Sequence, residues 1–419
     1  MLMVLVSLIG CFIMLFFVGN KVVKEFNFAE NNLPKDSVSF YKPIQVGSIQ
    51  TRIELAKSTI EVIKDNPLIG VGAGNWKVSF PEYGLDQFAR EVQLGKVNYQ
   101  RAHNDWLQLF AENGFLGFIC YLLFSLIVLY KGIVKWNQKG YQGTLILISA
   151  FLSFCVLMLF DFPRERVEHN LIFLVIAALL IKSDENIKIQ KKYTNKIFLI
   201  SLLLSLFIVF IGYKTITGEI KMKQIQQLHT NGNWVLMHKT AVDLNSSGYD
   251  INPFSMPPIW YAGVASFSMN NYDLALNEFK EAEKVHPYNV NILNNIASTY
   301  YQLGDRDKAV AYYEKVLEIS PNYDEALINL AIIYYYQGEI DLGLKILSKC
   351  STKSQHLNYK KVGLIMTKEK LLSIYNDRSI NDQKKLKIIL AKDDLIIKFF
   401  KQYSFSGMKF DRYVDSYFR

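Results

Sequence analysis

Five apolar runs without a charged residue divide the first half of the chain, at residues 1–19, 115–130, 144–160, 170–181 and 197–213. A helix needs about 20 such residues to cross the hydrocarbon of a bilayer, and most of the runs approach that length. The run at 170–181 is shorter, so a re-entrant or buried segment is the alternative there. The first run has neither a basic leader nor a small-residue cleavage site, which favours a span over a signal peptide. The pattern therefore predicts an all-α fold with a multi-span transmembrane helical bundle.

The lysines between these runs predict a topology, because short basic loops stay on the cytoplasmic side of a membrane. If every run crosses, residues 20–114, 161–169 and the chain after 213 lie outside the cytoplasm. If the fourth run does not cross, the C-terminal region is cytoplasmic instead. The lysines that carry this argument lie between the second and third runs (Lys131, Lys135, Lys139) and between the fourth and fifth (Lys182, Lys188, Lys191, Lys192, Lys196).

The composition and charge of the chain mainly exclude some kinds of partner and site. The net charge of +9 partly reflects the loop lysines, so we expect no nucleic-acid partner. Cys11, Cys120 and Cys155 lie in apolar runs and Cys350 lies far along the chain, which predicts neither a disulfide framework nor a cysteine metal site. The histidines show no metal-ligand spacing either, and we expect no metal and no cofactor.

The segment 256–357 is internally repetitive, and its period equals the length of a tetratricopeptide helix-turn-helix unit. Small side chains are expected where paired helices approach closely, and proline where a helix stops. The region resembles a tetratricopeptide array, with residues 214–255 as a linker with irregular helices and residues 358–419 as a helical cap. The positions that recur are Gly263/Ala297/Ala331, Ala275/Ala309/Gly343, Phe279/Tyr313/Leu347 and Pro287/Pro321.

The segment 20–114 joins the first two apolar runs, and a connection of about 95 residues is expected to carry function. Residues 52–64 have apolar positions compatible with an amphipathic helix. Residues 66–76 contain Gly70, Gly72 and Gly74, but no strand-helix-strand unit surrounds them, which excludes a dinucleotide loop. A tight turn is favoured there, and backbone amides that approach an anion are the alternative.

Arg101 and His103 stand shortly before the second apolar run. An imidazole exchanges a proton near neutral pH, and a guanidinium grips phosphate oxygens in a fork. The pair therefore suits a reaction on a phosphate-linked substrate at a membrane surface. Glu112 is a weaker acid–base candidate, and a helix-capping or core role is the alternative for His103.

Three features together resemble the O-antigen ligase and O-antigen polymerase superfamily: a helix led by Arg52, the glycine turn, and His103-Asn104 followed by Gly114 and Gly117. The resemblance extends from about residue 52 to residue 181. It implies a metal-independent transferase that moves a glycan from a polyprenyl-diphosphate lipid to an acceptor hydroxyl on the periplasmic face. It further implies that His103 is the base or orienting group for this hydroxyl and that Arg52 binds the departing diphosphate.

Four further residues are candidates in that reaction. Negative charge builds on the leaving diphosphate, and a preorganised cation stabilises it, so Arg101 is the next catalytic candidate. Arg164 and Arg166 lie on the same side of the membrane by the predicted topology and are substrate-binding candidates. Pairing with Glu165 and Glu168 is the alternative for these two arginines. Asn104 completes the substrate-binding set and is expected to orient His103 or the backbone.

The resemblance leaves the acceptor open. A ligase transfers to a lipid A core, a polymerase extends a second lipid-linked glycan, and a protein O-oligosaccharyltransferase modifies a protein. A non-catalytic, membrane-anchored scaffold of tetratricopeptide repeats is the alternative of another class. The expected location is a bacterial inner membrane, with the repeats recruiting a protein partner or the acceptor. The superfamily has more than five spans, so the sequence is also compatible with a fragment that lacks N-terminal spans.

Overall fold

The computed structural model describes residues 49–182, 191–252, 255–350, 354 and 356–418. All regular secondary structure in these residues is helical, as the sequence predicted. The predicted span at 1–19 lies outside them. The chain forms two compact units, one of Met1–Phe80 with Tyr99–Phe207 and one of Pro81–Asn98 with Ile208–Arg419.

Among the described residues, the first unit contains four helices and the beginning of a fifth. They are α1 (Ile49–Asp65), α2 (Asp105–Lys139), α3 (Gln142–Leu157), α4 (Val167–Ile181) and α5 (Lys191–Thr230), and α5 continues into the second unit. Single helical turns lie at Trp76–Ser79 and Pro163–Glu165.

Two of the described helices contain stretches that are long and apolar enough to cross a membrane, Asp105–Gln138 in α2 and Phe198–Thr230 in α5. The apolar side chains of α5 from Phe198 to Ile211 are exposed, as a lipid-facing surface requires. The apolar helices α3 and α4 have 16 and 15 residues, fewer than the roughly 20 of a typical span. By length and composition, the described residues therefore contain two candidate spans.

Packing shows how far α4 extends along α2. The rings of Phe173 and Tyr121 are stacked with their centroids 6.4 Å apart. Several turns further along α2, the ammonium of Lys135 donates to the carbonyl oxygens of Leu179 and Lys182 at 3.3 and 3.4 Å. Helix α4 therefore runs beside α2 from about Tyr121 to Lys135. The buried core that joins α2, α3 and α4 consists of Val128, Ile148, Phe151, Phe173, Ala177 and Leu180.

The second unit contains three helix pairs in tandem. The second helices of the pairs begin at Tyr272, Arg306 and Ile340, and this even spacing matches the period predicted from the sequence. The recurring small and apolar residues are buried at the helix contacts. The helices are α6 (Trp234–Ser246), α7 (Pro258–Ser268), α8 (Tyr272–Val285), α9 (Val290–Gln302), α10 (Arg306–Ile319), α11 (Asp324–Tyr336), α12 (Ile340–Leu347), α13 (Leu357–Ser373), α14 (Ile380–Leu390), α15 (Asp393–Ser406) and α16 (Phe410–Phe418).

Residues 81–98, here called the strap, pack on the turns between the repeats. The Leu85 amide donates to the Ile319 carbonyl at 2.7 Å. The Ser320 hydroxyl donates to the Gln93 carbonyl at 2.7 Å, and the Asn291 amide group to the Gly95 carbonyl at 2.8 Å. Arg90 forms an ion pair with Asp324 at 2.5 Å. The strap is part of the loop 20–114 predicted from the sequence, and by its contacts it groups with the repeats.

Candidate active site

Helix α2 is broken at Gly114, where the backbone has φ 63° and ψ −171°. The break bends the helix sharply, because the Trp106 ring from its first half lies 5.7 Å from the Tyr121 ring of its second half. A break of this kind leaves carbonyl groups of the first half and amide groups of the second half without helical partners.

The glycine turn at residues 66–75, here called the glycine clamp, supplies those partners. Two of its amides bind the first half of α2, and two of its carbonyls bind the second half. A Cβ at position 114 would lie 2.3 Å from the Leu68 carbonyl carbon, so only glycine permits this approach. The four bonds run from Val71 N to Ala111 O (2.9 Å), Gly72 N to Glu112 O (2.8 Å), Phe115 N to Pro67 O (2.8 Å) and Leu116 N to Leu68 O (3.3 Å).

The three glycines of the clamp all adopt positive φ angles, 68° at Gly70, 95° at Gly72 and 77° at Gly74. Gly70 also allows close backbone contact, since a Cβ there would lie 2.5 Å from the Glu112 carbonyl. The amide of Gly74 hydrogen-bonds to the Glu112 carboxyl group. The turn thus already binds a carboxylate of its own chain, and its main role is to cap the broken helix.

His103 lies just before α2 in a left-handed conformation with φ 55°, which is uncommon for a residue other than glycine. Such conformations cost energy and cluster at functional sites. Asn104 follows as the N-cap, and its side-chain oxygen accepts a hydrogen bond from the Leu107 amide at 3.0 Å. The Asp105 amide donates to the Met158 carbonyl at 2.8 Å, which fixes His103 beside the end of α3.

Four of the six predicted site residues gather around the segment 160–162. The His103 ring lies edge-on to the Phe162 ring, with centroids 5.4 Å apart. The guanidinium carbons of Arg101 and Arg166 lie 4.3 and 4.8 Å from the centroid of that same ring. Arg52, from α1, donates to the Phe160 carbonyl at 2.6 Å.

The surroundings of His103 favour its neutral form. Burial lowers the pKa of its imidazole, and the positive charges of Arg52 and Arg101 lower it further, while the carboxylate of Asp161 opposes them. Its Nδ1 atom is buried and has no hydrogen-bond partner among the described residues. A neutral imidazole accepts a proton, which a protonated imidazole cannot do.

Arg164 points away from this group toward two carboxylates of α2. Its guanidinium lies 3.8 Å from the Asp105 carboxylate and 3.7 Å from that of Glu112, and its backbone amide donates to Asp105 at 2.8 Å. Glu165 and Glu168, the partners that the sequence offered, are not its ion-pair partners among the described residues. The physical reason is that Asp105 and Glu112, two turns apart, share the face of α2 that the turn at Pro163–Glu165 meets.

A hydrogen-bonded chain joins the two groups. Arg101 pairs with Glu165 at 2.5 Å. The Gln108 side chain donates to Glu165 at 2.7 Å and to Glu112 at 3.1 Å. Its oxygen accepts the Ala102 amide at 3.0 Å. Because Gln108 holds both carboxylates and the backbone next to His103, it fixes Arg101 and Arg164 relative to each other.

Phe162, Asp161 and Gln108 were not predicted from the sequence, and Glu165 was expected only as a partner of Arg164 and Arg166. The helical spacing of Asp105, Gln108 and Glu112 was the available signal for a polar face on α2. Nothing local indicated that Phe162 would contact three of the candidate side chains. Asn104 serves as a helix cap, so its side-chain oxygen is already used. Within the described residues, no group of three or more histidine, cysteine or acidic side chains could hold a metal ion.

The described residues are thus helical, with two helices long and apolar enough to cross a membrane, an arginine–histidine cluster in the first unit and helical repeats in the second. Residues 1–122 match the sequence model of the O-antigen ligase family, and residues 290–323 match that of the tetratricopeptide repeat. Both resemblances drawn from the motifs are therefore confirmed. The first match includes Arg52, the glycine clamp and His103, and it ends before Phe162.

Whole-chain similarity is weaker than these local matches. None of the curated proteins is similar enough to count as a match. Among solved structures, a tetratricopeptide repeat protein from Parabacteroides merdae shares 18% identity, covers 48% of this chain and 76% of its own, and gives a TM-score of 0.35.

Proposed function

We propose that this chain acts in glycan transfer from a polyprenyl-diphosphate lipid to an acceptor hydroxyl, with His103 as the base. The observation that carries the proposal is the His103 imidazole, whose Nδ1 is buried without a partner among the described residues. The positive charges of Arg52 and Arg101 both lower the pKa of this imidazole and so favour its neutral form. The O-antigen ligase match supports the same class of donor and acceptor.

In the proposed step, the acceptor oxygen attacks the anomeric carbon of the donor sugar and forms the new glycosidic bond. The bond from that carbon to the diphosphate oxygen breaks, and the diphosphate lipid leaves with the electron pair. The hydroxyl proton passes to the imidazole of His103, which must lie within hydrogen-bond reach of it. Arg52 and Arg101 stabilise the charge that builds on the diphosphate, most strongly where water is scarce. Arg166, whose guanidinium also lies over the Phe162 ring, is the remaining candidate for diphosphate binding.

A multi-pass topology with the strap and the repeats on one side is part of the proposal. The strap and the repeats form one compact unit, and they cannot do so from opposite sides of a membrane. The chain between residues 98 and 258 must then cross an even number of times. Helices α2 to α5 provide four crossings if α3 and α4 both cross, and the packing of α4 beside α2 from Tyr121 to Lys135 favours this. With the lysine-rich loops in the cytoplasm, the site and the repeats face the periplasmic side of the inner membrane.

The test is complementation of glycan display in a strain that lacks the native gene. We expect His103→Ala to abolish transfer without lowering the amount of protein in the membrane. His169→Ala is the matched control, because this half-exposed histidine lies outside the cluster, and it should leave transfer intact. Normal transfer by His103→Ala would refute the catalytic role and would favour the repeat scaffold. Single repeat units on the acceptor after the loss would indicate a polymerase, and an acceptor without glycan would indicate a ligase.

A further inference from the structure

The tip of the glycine clamp, at residues 67–69, is apolar and exposed. Leu68 and Ile69 are 65% and 76% exposed, although loop tips in water normally carry polar side chains. Phe115 and Leu116, at the start of the apolar part of α2, are 49% and 58% exposed. The described residues leave these four large apolar side chains uncovered.

The tip is not a free loop whose height above the membrane varies. The carbonyls of Pro67 and Leu68 accept the amides of Phe115 and Leu116 at 2.8 and 3.3 Å. The backbone at Gly114 lies so close that a Cβ there would clash with Leu68. The tip therefore stays level with the first turn of the segment that we assign to the membrane.

The backbone chemistry of the tip also suits a water-poor setting, where unsatisfied polar groups are costly. Pro67 has no amide hydrogen, its carbonyl is bonded to α2, and so is the carbonyl of Leu68. In the same way, the first amides of the second half of α2 are satisfied by the clamp. The bend thus reaches the apolar region with these backbone groups already paired.

We propose that Leu68 and Ile69 insert among the lipid chains of the bilayer at its outer interface. This rests on the proposed membrane crossing of α2. The inserted tip holds the bend at Gly114 at the interface and thereby fixes the first half of α2, with His103 before it, relative to the lipid surface. A site that acts on a lipid-linked diphosphate needs this fixed height, because the diphosphate itself is held at the surface by its lipid chain.

The experiment places a photoreactive amino acid at position 69 in the full chain, reconstituted in vesicles of phosphatidylethanolamine and phosphatidylglycerol. Since the Ile69 side chain is largely exposed, the replacement removes little packing. Leu123, exposed on the apolar part of α2, is the positive control, and Glu281, exposed on α8, is the negative control. Lipid adducts are counted by mass spectrometry after illumination.

We expect lipid adducts at position 69 as often as at position 123, and only background at position 281. Adducts at position 123 with background at position 69 would overturn the insertion of the tip and leave the crossing of α2 standing. Background at both positions 69 and 123 would overturn the proposed crossing together with the insertion. The two failures are therefore distinguishable.

Discussion

Arg90 makes a charged contact between the strap and the repeats, and Arg90→Ala tests how much this contact contributes to their packing. The Arg90 guanidinium donates to the Asp324 carboxylate at 2.5 Å and to the Asn322 carbonyl at 2.7 Å. The Asp324 side chain is only 8% exposed and that of Arg90 is 33% exposed. Arg90→Ala would leave a nearly buried carboxylate without its cation.

The expected loss follows from these exposures. Breaking a fully buried ion pair costs roughly 3–5 kcal/mol, but solvent screens the exposed part of Arg90. Asp324 also keeps about 0.3–1 kcal/mol of favourable interaction with the N-terminus of α11. We therefore expect Arg90→Ala to weaken strap attachment by about 2 kcal/mol, which is roughly a 30-fold increase in the detached population.

Cleavage at Lys96 by a lysine-specific protease measures that population, because Lys96 lies in the strap and cleavage of a transiently open segment follows its open fraction. Arg306→Ala, at an exposed arginine of the same unit, is the matched control and should not change the rate. Asp324→Asn combined with Arg90→Ala should cost less than the sum of the two single changes. An unchanged cleavage rate in Arg90→Ala would refute the assigned role of this pair.

Two further predictions concern the first unit. Gly114→Ala would place a Cβ 2.3 Å from the Leu68 carbonyl carbon and force a positive φ on alanine. We therefore expect the free energy of unfolding to fall by at least about 2 kcal/mol, with a lower thermal midpoint. The control is Gly143→Ala, which has open space around its Cβ and should have little effect. Burial and two arginines lower the pKa of His103, so the transfer rate should begin to fall on acidification only below the ordinary pKa of an imidazole. Arg101→Gln should move this fall in rate to higher pH, even if the maximal rate is also lower. A fall in rate that stays in place or moves to lower pH would contradict the electrostatic argument.

Much of the candidate site could be predicted from the sequence, because its chemistry depends on the types of its side chains. Arg101 and His103 are near neighbours in the chain, and the sequence shows that they precede an apolar run. Arg52 was named through its family motif, although it lies far from His103 in the sequence. What the motif could not supply is the role of Phe162, whose ring contacts three of the candidate side chains from outside the matched region.

The partners of Arg164 show where sequence reasoning stops. Its neighbours in sequence, Glu165 and Glu168, were available partners, but the structure pairs it with Asp105 and Glu112 on a different helix. Glu165 binds Arg101 instead. Charged side chains near a turn have several local partners of similar strength, so only the packing of α2 against that turn selects among them.

The sequence alone determined the helical class, the period of the repeats and the residues able to do acid–base and phosphate chemistry, because these follow from local spacing and side-chain type. Only the tertiary structure decided that the glycine turn caps the broken helix α2 and that the strap packs on the repeats. Both depend on groups that are distant in the chain, such as the Leu68 carbonyl with the Leu116 amide and Arg90 with Asp324. A backbone amide or carbonyl looks the same at every position of a sequence, so its partner is fixed only when the helices have packed.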